Sequence, residues 1–285
     1  MPEPHYVKSP MIPYTLSQPD IFGIMVGVMF GMVVVRFLAV AGVFAAFAAL
    51  ARRTFWRHRW VNLRPYKKHQ FCQELAWSLL TSGIFALTGA ITAVLWQWGY
   101  TAVYVEIGGW GYLYFVLSLL IALLVHETYY YWLHRWMHHP KIYPWMHKVH
   151  HQSITTSAWT AFSFHPLEAL AQALFLPILV FVLPLHPYAI VILLTVMTFS
   201  SVINHLNLEL YPAHFNRHWL GRFLIGATHH SLHHSQFRYN FGLYFTFWDH
   251  LMGTESETYN ALFDQKTQVI TPLPVSLNPS RLDSN

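Results

Sequence analysis

The chain has 285 residues, 54% of them hydrophobic and only 10% charged, whereas an average soluble chain is about 25% charged. So little polar surface excludes an ordinary soluble domain, and the lone cysteine, Cys72, excludes an intrachain disulfide or a thiolate metal cluster. The net charge of +5 and pI near 9.3 point to anionic lipid headgroups rather than nucleic acid, because the basic residues gather beside an apolar span.

A helix needs about 20 apolar residues to cross a bilayer. The first twenty residues lack the charged start and short apolar core of a cleavable signal peptide. Ile21 to Ala51 follows, interrupted by Arg36; it reads either as one long tilted helix with the arginine facing protein or as two shorter pieces. Arg52, Arg53, Arg57, Arg59, Arg64, Lys67 and Lys68 come next, and this enrichment places their loop on the cytoplasmic side. Leu75 to Trp98 is uncharged and is the clearest span, and the loop Gly99 to Trp110 has no Lys or Arg and fits the outside. Gly111 to about Leu133 is the next span, with His126 and Glu127 near its end. Ala169 to Leu185 and Pro187 to Ile203 are shorter runs joined by a Pro184-Leu-His-Pro187 turn, also outside. Threading the chain this way returns about His134 to Pro166, and everything from about Asn204, to the cytoplasm. The tail from about Glu255 is polar, with three prolines, and is expected to lie over the cytosolic part or to be disordered.

Twenty histidines are present, fifteen of them between His134 and His234. His134 and His138 form H-x-x-x-H; His147, His150 and His151 form H-x-x-H-H, repeated by His230, His233 and His234. Residues three and four apart share a helix face, so each cluster can aim two or three imidazoles at one point. Imidazole suits iron, zinc, copper and nickel alike. A structural zinc takes four ligands and a catalytic zinc three, so eight donors are used more naturally by two metals. Attack on an unactivated alkyl C–H bond needs a strong oxidant, which iron with O2 supplies and redox-inert zinc does not; the bilayer setting suggests an acyl chain, sphingoid base or sterol as the molecule oxidised.

Further motifs accompany the clusters. Glu127 precedes Tyr131-Trp-Leu-His134-Arg-Trp-Met-His138; Phe164-His-Pro-Leu-Glu168 follows the second cluster; Asn240-Phe-Gly242 and Trp248-Asp-His-Leu-Met-Gly253-Thr254 follow the third. Together, over about Leu117 to Thr254, these resemble the fatty acid hydroxylase/sterol desaturase superfamily, nearest to its sterol C-5 desaturase branch. The match departs where Glu127 stands for the more usual Asp, His250 for Arg and Phe241 for Tyr. The resemblance implies an all-α integral membrane protein of about four transmembrane helices, with a cytosolic helical cap around a di-iron centre. It also implies a separate electron donor, a b-type cytochrome or a ferredoxin with its reductase, and a further ligand between the second and third clusters, for which His205 fits best. The expected organisation is a membrane region at 1–110, a catalytic region at 111–255 and a polar tail at 256–285.

Glu127 shares a helix face with His134 and His138 and is expected to hydrogen bond a ligand ring; Asn204 and Asp249 are read in the same way. His165 reads equally as ligand or turn residue, His214 and His218 more as bystanders, and His139, His229 and His250 as supporting or surface residues. Tyr129 to Trp132 reads as an aromatic belt at the membrane surface. The H-E-x-x-H zinc motif fails because residue 130 is Tyr, and no G-x-G-x-x-G turn is present. A transporter or metal-handling protein is the competing class, but it needs ionisable groups along a mid-membrane path. A lipid-binding protein with a degenerate metal site is a third, disfavoured by the intact clusters.

Overall fold

The computed structural model describes residues 13–67 and 69–268. Residues 1–12, Lys68 of the basic loop and the tail beyond residue 268 lie outside them. Four helices are long and apolar enough to cross a membrane: α1 (Pro19–Ala51), α2 (Gln70–Gln97), the Gly111–Met137 part of α3 (Ile107–Met137), and, later in the chain, Pro187–His205. The others are shorter: α4 (Tyr143–Met146), α5 (Lys148–His151), α6 (Pro166–Ala173) and α7 (Phe175–Val182) before α8 (Pro187–His205), then α9 (Ala227–Gln236), α10 (Phe247–Leu251) and α11 (Tyr259–Thr267). Among the described residues there is no sheet, only the isolated bridges Trp60–Leu208 and Leu224–Phe245.

Of the two readings of the first apolar run, the unbroken helix is the one found. Arg36 is half-buried beside Phe37, which stacks on Phe162 with ring centroids 4.8 Å apart. The third span starts where expected, at Gly111, whose φ of 75° breaks the helix and is readily adopted only by glycine. It ends one turn later than expected, at Met137. At 1.5 Å per residue its 27 residues reach about 40 Å, against about 30 Å of hydrocarbon, so it is long enough to cross with turns to spare. The run from Ala169 is two short helices. Pro177 supplies no N–H, and its ring clashes with the carbonyl four residues back, at Ala173, where α6 ends.

The two ends of the helices can be told apart by contacts. At one end, Ala102 N–H donates to the Val180 carbonyl (2.7 Å) and Tyr104 N–H to that of Leu185 (3.2 Å), so the loop after α2 and the Pro184 turn lie together, as the charge pattern requires. Gln97 bonds the backbone of Tyr14 and Leu16 there, which places the start of α1 at that end too. At the other end, the basic loop after α1 meets the segment after α8: Val61 N–H donates to the Asn207 carbonyl, and Arg59 to those of Glu209 and Tyr211. The basic loop and the histidine-bearing segments therefore share one end. The visible part of the tail forms α11, whose Tyr259 and Phe263 pack on Leu232 of α9.

Glu74, in the first turns of α2, is buried and accepts from Tyr66 (2.5 Å), Gln70 (2.8 Å), Ser153 (2.7 Å), Ser157 (3.1 Å) and Thr160 (2.7 Å). It ties the second span to the segment that leaves the second histidine cluster. Glu74→Gln keeps one acceptor and lets the hydroxyls reorient, so the expected cost is about 1–2 kcal/mol, read as a lower thermal midpoint in detergent with metal content unchanged.

Candidate metal centre

The nine histidines expected as ligands come together in two groups: His134, His138, His147, His151 and His233 in one, and His150, His205, His230 and His234 in the other. Within each group the candidate ligand atoms lie within 4.8 Å of one another. Helical spacing delivers them. His134 and His138 sit one turn apart at the end of α3, and His205 is the last residue of α8. Consecutive His150 and His151 divide between the groups, as do His233 and His234, so α5 and α9 each lie between the two centres.

The ring orientations are fixed by acceptors behind them. Nδ1 of His134 donates to the Phe241 carbonyl (2.8 Å), His150 to Ser163 (3.3 Å), His205 to Ser201 (2.6 Å) and His233 to Tyr239 (2.7 Å), while His147 Nδ1 donates to the Glu168 carboxylate (2.8 Å). Carbonyl and carboxylate oxygens only accept, so these Nδ1 atoms carry the proton and each Nε2 presents a lone pair. His134 and His147 then face each other lone pair to lone pair across 3.0 Å, and so do His150 and His205. Nε2 of His138, His151 and His233 form a triangle with every edge 3.1 Å. Hydrogen bonds cannot close it, because two of three single-site atoms must be alike. Both ring nitrogens of buried His234 lack any partner.

Protonation does not relieve these contacts. Burial first, and the neighbouring imidazoles second, hold His151, His230, His233 and His234 well below the usual imidazole range. Neutral rings converging on a point without protons between them are what a cation removes from conflict, so the donor set fits a metal in each group.

Glu127, Asn204 and Asp249 do not reach a ligand ring; all three hold the backbone turn at 241–244. Glu127 accepts from Leu243 and Tyr244 N–H (3.1 and 2.7 Å), Asp249 from Phe241 and Gly242 N–H (both 2.9 Å), and Asn204 Nδ2 donates to the Leu243 carbonyl (2.7 Å). Buried on α3, the Glu127 carboxylate takes the N–H groups of a passing turn instead. Its effect on the centre is indirect, since the same turn supplies the Phe241 carbonyl that orients His134.

The carboxylate that does bond a candidate ligand is Glu168, which sequence reasoning quotes in a motif but gives no role. It is buried on α6, 2.8 Å from His147. The missed signal is an acidic residue on a short apolar helix. Glu168→Gln should lower metal affinity by about 10–100-fold, measured by chelator competition, because an amide orients His147 without raising its basicity. His165 caps α6 by accepting from Leu167 N–H, and His214 and His218 are in neither group. His139 is exposed, and His250 pairs with Glu255 at 3.0 Å. His229 is buried edge-on to Tyr259. Of the aromatic run expected as a belt, Tyr130 and Tyr131 are buried, Tyr129 donates its hydroxyl to the Ala171 carbonyl (2.6 Å), and Trp132 is exposed.

Residues 119–254 match the model of the fatty acid hydroxylase family. The chain is 29% identical over 222 residues to the Delta(7)-sterol 5(6)-desaturase ERG3B of Gibberella zeae, covering 76% of this chain and 67% of that protein. It is 27% identical over 210 residues to the lathosterol oxidase of Rattus norvegicus, covering 73% and 68%. Identity to the Delta(7)-sterol 5(6)-desaturase of Candida glabrata is 33% over 140 residues, covering 49% and 36%. The chain thus spans between about a third and two thirds of the length of these relatives. No solved structure matches it.

Proposed function

We propose, from the match of residues 119–254 to the fatty acid hydroxylase family, that this protein is a membrane oxidoreductase that desaturates or hydroxylates a lipid with O2 and externally supplied electrons. The observation that carries the reading is the pair of adjacent imidazole groups with lone pairs facing inward. His134, His138, His147, His151 and His233 would hold one iron, and His150, His205, His230 and His234 the other. Bound iron supplies the redox chemistry with O2 that zinc lacks.

The closest ligand-atom contacts fit a right-angled donor arrangement better than a tetrahedral one. Two nitrogens each about 2.1 Å from a metal lie about 3.0 Å apart at a right angle and about 3.4 Å apart at the tetrahedral angle. The closest Nε2 pairs here are 2.9–3.1 Å apart, within groups whose candidate ligand atoms all lie within 4.8 Å.

The sterol-named relatives favour a sterol among the candidate lipids, ahead of a sphingoid base or acyl chain. The basic loop at the histidine end supports placing the centre on the cytoplasmic face, where a b-type cytochrome or a ferredoxin with its reductase would deliver electrons. In that arrangement 111–255 is the catalytic region, with 1–110 as its membrane support and 256–285 as a tail over the cap.

The test is metal analysis of purified protein together with lipid turnover. About two irons per chain and O2-dependent conversion of a Delta(7)-sterol are expected. Metal flux across liposomes without lipid oxidation would overturn the reading in favour of a transporter. That outcome is disfavoured because both groups gather at one end of the helices rather than along a path through them.

A further inference from the structure

Eight of the nine candidate ligands are buried; the ring of His138 is only half-buried. It forms part of the wall of a cavity of about 420 Å³. Trp132, Trp136, Phe237 and Phe241 furnish aromatic sides to this cavity, and Arg135 and Arg238 bring guanidiniums to it. Trp132 and Trp136 are one turn apart in the last turns of α3 and 44% and 51% exposed. Arg135 is held in place, donating to the Tyr131 hydroxyl at 3.2 Å with its guanidinium 5.8 Å from the Trp132 ring centroid. A second cavity, about 300 Å³, is lined mainly by polar groups such as Lys67, Gln73 and Gln152, with Trp77 and Val149, and touches no candidate ligand.

From these features, and resting on the functional reading above, we infer that the His138 cavity is the lateral entrance by which the lipid substrate reaches the metals. Its occupant is a rigid, flat fused-ring lipid carrying a hydrogen-bonding head. A molecule in the interfacial layer meets the two outward tryptophans first, since indole rings favour that depth. Flat aromatic faces complement a flat ring body and hold it without the rotamer entropy that a flexible chain loses. The guanidiniums can hydrogen bond the head while the body extends toward His138. Head and reacting carbon then share one short cavity.

The experiment uses iron-loaded protein in lipid nanodiscs and a Delta(7)-sterol bearing a photoreactive diazirine on its ring system. Crosslinks mapped by mass spectrometry should fall within 132–139 and 237–241; crosslinks confined to other segments would overturn the proposal. In parallel, Arg238→Cys in a Cys72→Ser background is reacted with a bulky maleimide. The labelled protein should lose about tenfold or more in kcat/KM for the sterol, with iron content unchanged and the loss persisting when dithionite replaces the protein electron donor. Recovery with dithionite would overturn it by showing that this face receives the electron donor, and undiminished turnover after labelling would place the entrance elsewhere. If unlabelled protein holds iron yet oxidises no lipid while the crosslinks still map to this cavity, the functional reading fails and the binding site stands.

Discussion

His233→Ala and His230→Ala should each abolish turnover, by about a hundredfold or more, and each should remove about one metal per chain while leaving membrane insertion intact. The two residues lie on the same helix, α9, yet belong to different groups, so loss of one metal in each variant is a stricter outcome than loss of activity alone. His233 Nε2 touches both His138 and His151 at 3.1 Å, and His230 Nε2 touches His205 at 2.9 Å. Removing either opens a gap in one ring of donors and not in the other. His229→Ala serves as the comparison: it is equally buried on the same helix but in neither group, so its metal content should match that of the parent protein. If His233→Ala retains both metals and full activity, the assignment of ligands is wrong. If both variants lose both metals together, the two groups act as one cooperative site.

Much of this centre is legible from local spacing. His134 with His138, and the two H-x-x-H-H runs, announce themselves because helical periodicity turns a gap of three or four residues into one face. His205 carries no such partner, and it is found only through the family pattern that expects a ligand after the hairpin. Glu168 is hidden because nothing local relates it to His147, 21 residues earlier; only the return of the chain through α6 brings the two together. The extent of the third span is hidden for a different reason. Hydropathy falls at His134 and Arg135, but the helix continues through Met137 because its backbone hydrogen bonds are indifferent to side-chain polarity. Pro177 is a visible break in an apolar run, yet hydropathy averaged over its apolar neighbours reads across it.

The roles of Glu127, Asn204 and Asp249 show the limit of face-sharing arguments, and Asp249 gives the larger test. Asp249→Ala should destabilise the protein by about 3–5 kcal/mol, because it strands three buried donors: Phe241 N–H, Gly242 N–H and the Thr254 hydroxyl, which donates at 2.8 Å. Thr254 in turn touches the Tyr131 hydroxyl at 2.8 Å, so the damage extends to α3 one turn before His134. Gly242 leaves no slack for the turn to shift, since a Cβ there would stand 2.6 Å from the Phe245 carbonyl and 2.9 Å from Glu127. Once the turn moves, His134 loses the Phe241 carbonyl that points its Nε2 at His147. Metal loss should therefore follow destabilisation, affecting the five-histidine group before the four-histidine one. Differential retention can be read by titrating a chelator against Asp249→Ala at a temperature where it remains folded. An equal loss from both groups would sever the proposed link from Asp249 through the turn to His134.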